Sequence, residues 1–131
     1  MTALDIIRRA LRKIGAVAAE EEPSASEAQH ALEELNAMAA AWEGKGIRWN
    51  WQKLTLHSDI PLPDWQIDAL MWNLAVMMAP EWGATPSPVV VAAAAEGLQN
   101  LKAAYAAPQP AQIDPALVRW QSAGRVYGWR Y

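Results

Sequence analysis

Apolar residues recur three and four positions apart through most of this 131-residue chain, and the pattern breaks at a few marked places. Leu4, Ile7, Leu11 and Ile14 form one stripe, which predicts a helix over about 3–14. Thr2 and Asp5 have capping-box spacing at its start, and Gly15 is a stop at its end. An acidic Pro/Ser loop follows, with Glu20-Glu21-Glu22-Pro23-Ser24. Ala28, Ala31, Leu32, Leu35, Met38, Ala39 and Trp42 then make a broad apolar face and predict a second helix, roughly 25–43. Ser24 with Glu27, or Ser26 with Gln29, caps it, and Gly44 ends it. Ile67, Leu70, Met71, Leu74 and Met78 predict a third helix from an Asp64 N-cap to about Met78, with Trp65 and Trp72 on its flank and Pro80 beyond it. Met71, Met77 and Met78 read as core filling. Ser87 and Pro88 open a fourth helix that reaches about Tyr105. Its expected apolar face is Val91, Ala94, Ala95, Leu98, Leu101 and Tyr105.

Between the second and third helices the period changes. Ile47, Trp49 and Trp51 alternate with Arg48, Asn50 and Gln52, which reads as a strand that Leu54-Thr55-Leu56 extends. The chain offers it no clear partner strand. A short irregular hairpin with 54–62, or an extended arm that pairs with a neighbouring subunit, is therefore expected over about 47–62. Pro108, Pro110 and Pro115 mark a linker over 106–115. Residues 116–131 lack aliphatic periodicity and are rich in Arg and aromatics. The expected class is all-α: a four-helix bundle-like core over 1–105, a short extended arm or hairpin, the linker, and a C-terminal docking arm.

Composition sharpens this picture. Cys is absent, so disulfides, thiolate catalysis and Cys-type zinc sites are excluded. No apolar run has the length of a membrane span, and no signal peptide is visible, so a protein made in the cytoplasm is the default expectation. Eight Trp and no Phe exceed what one small core easily hides, so some Trp are expected at subunit or partner surfaces. The net charge of −3 hides a split: residues 1–16 carry +3, residues 17–43 carry −7 and residues 106–131 carry +2. Oppositely charged helices are complementary within one subunit or between neighbours. Arg8 and Arg12 on the first helix and Glu33 and Glu34 on the second are the candidates for such contact.

Catalytic chemistry has little to stand on. There is no Gly-rich phosphate loop and no nucleophile motif. His30 and His57 lie in different elements without metal-ligand spacing, so no metal, cofactor or catalytic residue is expected. A cell-wall hydrolase would need Glu33, Glu34, Asp64 or Asp68 buried beside a cleft. A small DNA-binding regulator would use Arg8, Arg9, Arg12 and Lys13 on phosphates. The loop after the first helix is too long and acidic for a helix-turn-helix, and the second helix carries no base-reading Arg or Lys. The C-terminal segment is the better candidate. Arg119, Trp120, Arg125, Tyr127, Trp129, Arg130 and Tyr131 are of the types that dominate binding hot spots, and the Pro-containing linker gives them reach.

Several runs carry a resemblance. Arg9-Ala10-Leu11-Arg12-Lys13-Ile14-Gly15, the acidic loop through Glu27-Ala28, and Ala31-Leu32-x-x-Leu35-Asn36-x-Met38-x-x-x-Trp42-x-x-x-Gly46-Ile47 resemble the P22-type phage head-to-tail connectors. These are packaged-DNA-stabilising tail accessory proteins. Asn73-Leu74-Ala75 and Ala79-Pro80-Glu81 extend the likeness, which covers roughly 3–105. The resemblance implies a structural virion protein at the head–tail junction, in a twelvefold ring under the portal. The C-terminal residues named above would bind the portal protein. A downstream tail or nozzle protein would meet the opposite face, and DNA would pass through the lumen unread. Trp49 and Trp51, with Arg8, Arg12, Glu33 and Glu34, would serve subunit or tail contact. No membrane partner is implied.

Overall fold

The computed structural model describes residues 1–17 and 21–106. Four α-helices appear in chain order: α1 (Ala3–Lys13), α2 (Ala25–Glu43), α3 (Asp64–Met78) and α4 (Pro88–Tyr105). A short 3-10 turn, Ala79–Trp82, continues from α3. The fold is all-α, with helix bounds within a residue of those the sequence predicts.

The helix ends are chemically explicit. Both capping boxes close: Asp5 N–H donates to Thr2 Oγ1 while Thr2 N–H donates to the Asp5 carboxylate, and Ser24 and Glu27 exchange the same pair. These bonds, with Arg8 nearby, hold the Asp5 carboxyl below its ordinary pKa of 3.8. Gly15 and Gly46 sit at φ +72° and +94° and terminate α1 and α2 with the same doubled bonds. For α2 the left-handed residue is thus Gly46, while Gly44 keeps right-handed helical geometry. At α3 the N-cap is Pro63 rather than Asp64, which is the first helical residue and favours the positive helix end by its charge.

α3 is the central helix, packed by α1, α2 and α4. Ile67, Leu70, Met71, Leu74 and Met78 are all buried, as expected, together with Ala69 and Ala75. They meet Ile6, Ile7, Ala10 and Leu11 of α1 and Leu35 and Met38 of α2 in one core. Each large buried side chain contributes about 1.5–3 kcal/mol. Met77 departs from the core-filling expectation and is exposed.

α4 also departs from expectation. It buries Val90, Ala94 and Leu101, while Val91 and Ala95 face outward. The phase is set by Gly97, where a Cβ would lie 2.9 Å from both Cα and Cβ of Ala69. Asn73 Nδ2 fastens the crossing by donating to the Ala69 and Ala94 carbonyls, at 2.8 and 2.9 Å. Tyr105 Oη donates to Gln66 Oε1 at 2.9 Å near the other end.

The segment after α2 forms neither a strand nor a hairpin. Among the described residues the one β-bridge is isolated, Thr2 with Asp59. The alternation is real: Ile47, Leu54 and Ile60 are buried, Trp49, Trp51 and Leu56 half-buried, and Arg48, Asn50 and Gln52 exposed. Its partner, however, is α2 and the start of α1. Asn50 has φ +53°, which Asn tolerates and which breaks a regular strand. The Ser58 and Leu56 carbonyls accept the Ala3 and Leu4 N–H groups at 3.1 and 3.0 Å, satisfying donors that the first turn of α1 leaves open.

Gly97→Ala tests the α3–α4 contact. The added methyl group enters Ala69, so the variant should be less stable by about 1 kcal/mol or more despite alanine's helix preference of similar size. Urea unfolding reads the difference.

Candidate functional site

The functional candidate is a surface built where the 47–56 segment lies along α2. Asn36, one turn from Leu32 on α2, is buried and acts as the hub. Its Oδ1 accepts from Leu54 N–H at 2.9 Å and Trp51 Nε1 at 3.1 Å, and its Nδ2 donates to the Leu54 carbonyl at 3.1 Å. Trp49 Nε1 donates to the Ala39 carbonyl at 3.1 Å, and Trp51 N–H to Glu43 Oε1 at 2.6 Å. The rings then stack. Trp49 lies 5.6 Å from Trp42, 5.2 Å from Trp51 and 6.3 Å, edge-on, from Tyr105.

This arrangement bears on the expectation that some tryptophans lie at subunit or partner surfaces. Of the six described, Trp42 is buried, Trp49, Trp51, Trp72 and Trp82 are half-buried, and Trp65 alone is exposed. Trp49 and Trp51 first hold their own subunit together. What remains accessible of Trp51 borders a groove of about 380 Å³ between Ala37, Ala40 and Lys53, continuous through Glu33, Asn36 and Lys53 with a second groove of similar size beside Leu54–Leu56.

The basic stripe of α1 is largely committed within the subunit. Arg8 pairs with Glu22 at 2.5 Å and Asp5 at 3.2 Å, Arg9 with Asp68 at 3.8 Å, and Lys13 Nζ lies 4.7 Å from the Trp72 ring centre. Arg12 is exposed. Such exposed pairs are individually weak. Glu33 faces solvent at the groove, and Glu34 is half-buried. Asp64 and Asp68 are exposed, so none of the four carboxylates that a hydrolase reading needs is buried. The portal-binding candidates Arg119, Trp120, Arg125, Tyr127, Trp129, Arg130 and Tyr131 lie outside the described residues, as does the 116–131 arm.

Two features escaped the sequence reading. Asn36 was visible only as part of a motif, because nothing local marks a helical Asn as the anchor of a segment 18 residues on. The second is a polar cluster: His30 Nε2 meets Glu81 Oε2 at 2.5 Å, with Glu34 beside them. That hydrogen bond and the charge of Glu81, then Glu34 and Glu33, raise the His30 pKa above its ordinary 6.5.

A capped helical core, an aromatic cluster that fixes an extended segment, and a charged outer surface define a small all-helical interaction module. No described helix is long and apolar enough to cross a membrane. Residues 1–112 match the family model of the P22 tail accessory factor, and the chain belongs to that family. Membership gives it a structural role in the phage tail and places it among virion proteins. No curated protein matches the chain.

Two outcomes follow from this geometry. Asn36→Ala leaves the buried Leu54 N–H without a partner and should cost about 1–3 kcal/mol. Tryptophan emission should shift to the red as Trp51 is released, measured alongside urea unfolding. The His30–Glu81 bond stabilises the folded state fully below pH 6.5, the unfolded value, and its contribution is lost as pH rises through the higher folded value. The melting temperature of wild type should exceed that of His30→Gln at mildly acidic pH, and the two should converge at alkaline pH.

Proposed function

We propose that this protein is a head-to-tail connector that docks on the portal, receives the tail machinery on its opposite face and helps retain packaged DNA. The observation that carries the reading is the family match across the whole helical core, residues 1–112. Chemistry supports it from the remaining residues. Arg119, Trp120, Arg125, Tyr127, Trp129, Arg130 and Tyr131 make a hot-spot-rich arm beyond the linker, suited to insertion against a large partner. In this proposal the copies form a closed ring, of twelve by the resemblance, at the head–tail junction of the virion. Exposed Arg12 of one copy faces the acidic surface of the next around Glu33 and Glu34. The accessible edges of Trp49 and Trp51 meet a neighbour or the tail protein below, and Arg8 supports this face from within its own subunit.

A ring needs no strong single contact. Each arm binds weakly, and closure converts later contacts into intramolecular ones, so avidity accumulates. DNA in the lumen requires no base-reading groups, which agrees with an α2 that carries no Arg or Lys.

Light scattering of the protein mixed with its cognate portal tests the proposal. A stoichiometric ring complex is expected with the full chain. Deletion of 116–131 should abolish the complex while far-UV circular dichroism remains helical. Portal binding that survives the deletion refutes the docking role of the arm, and a full chain that ignores the portal refutes the connector reading itself.

A further inference from the structure

In the cluster at His30, Glu34 and Glu81, the imidazole and the Glu81 carboxylate have chemistry that neither the core nor the proposed connector role uses. His30 and Glu34 stand one turn apart on α2, so both side chains leave the same helix face. Glu81 arrives from the 3-10 turn after α3, 51 positions away from His30. One nitrogen and one oxygen from each carboxylate all lie within 4.8 Å of one another. Among the described residues, no salt bridge brings a Lys or Arg to Glu34 or Glu81, and Glu33 adds further negative potential. Three donors from two elements, converging with no Lys or Arg among the described residues paired to the carboxylates, differ from carboxylates spread along a wet helix face.

We propose that His30, Glu34 and Glu81 form a binding site for a divalent transition metal ion of the zinc type, which ties α2 to the turn after α3. The imidazole decides the class. Nitrogen donors suit Zn²⁺ and its neighbours, whereas Mg²⁺ and Ca²⁺ prefer all-oxygen sites with more ligands. Metal bonds of about 2.0–2.2 Å need donor atoms roughly 3–3.5 Å apart, which small side-chain rotations supply. The ion replaces the His30–Glu81 hydrogen bond, and water completes its coordination. The His30 and Glu81 side chains are 51% and 42% exposed, so the ion enters directly from solvent. Proton and metal compete for the same Nε2, so metal binding weakens as pH falls through the raised His30 pKa.

Isothermal titration of ZnCl₂ into the full, chelator-stripped chain at about pH 7.5 tests the site. Saturable uptake of one ion per chain is expected. His30→Ala and Glu81→Gln should each weaken it by about tenfold or more. His57→Ala, at an exposed histidine outside the cluster, should leave it unchanged. Both cluster residues are at the surface, and retained circular dichroism checks that the variants fold. No saturable uptake, uptake equal in His30→Ala and wild type, or equal loss in His57→Ala overturns the proposal.

Discussion

A strand-like segment with no strand beside it must satisfy its backbone elsewhere, and the arrangement of this protein depends on how that is done. Leaving a buried amide unpaired costs as much as a lost hydrogen bond, so an orphan strand is normally an edge awaiting a partner. Here a single side chain substitutes for the missing strand. Asn36 presents an acceptor and a donor to the amide and carbonyl of Leu54, as a neighbouring strand would. Two and four residues later, the carbonyls of Leu56 and Ser58 accept the N–H groups at the start of α1. The segment therefore completes two helices at once: it covers the outer side of α2 and fills open donors at the first turn of α1. An element that looks like an arm for another molecule is consumed in closing its own fold.

This substitution explains what the sequence reveals and what it conceals. The helices were legible because each carries its own punctuation: Thr2 with Asp5, Ser24 with Glu27, Ser87 before Pro88, and glycines in left-handed conformation after α1 and α2. The 47–60 segment was legible in its alternation and illegible in its partner, because a helical Asn has no local mark of a long-range bond. The face of α4 was ambiguous for another reason. Ala and Val occur on almost every side of it, so hydrophobic phase cannot choose. Gly97 against Ala69 makes the choice, by letting two backbones meet where any side chain would intervene. His30 and Glu34 were one turn apart in plain view, but Glu81 joins them only through the packing of α3 against α2.

The same accounting changes which surfaces remain for assembly. A count of eight tryptophans suggests a sticky exterior, yet Trp42, Trp49 and Trp51 stack on one another with their indole N–H groups bonded at Trp49 and Trp51. Three of the four basic side chains of α1 are likewise engaged, by Glu22, Asp5, Asp68 and the Trp72 ring. The surface left over is acidic along α2 and small and apolar along the outer side of α4, with Trp65, Met77, Val89 and Val91 exposed on the α3–α4 hairpin. A tail accessory protein assembled from such units would join them through complementary charge and close helix approach rather than through a few aromatic anchors.

Rigidity is the property that links these observations to a structural role. The connection from α2 to α3, residues 44–63, is long, and the aromatic stack with Asn36 removes its freedom within the fold itself. Pre-organisation of this kind lowers the ordering cost of each interface, which matters most when many weak interfaces must form together. The His30–Glu81 bond acts in the same direction at the opposite end of α2, tying its first half to the turn after α3. α2 is thus held at both ends by side-chain chemistry and along its middle by the core. Its acidic face is a fixed array of charges, and the ring proposed above would use such an array at each repeated contact.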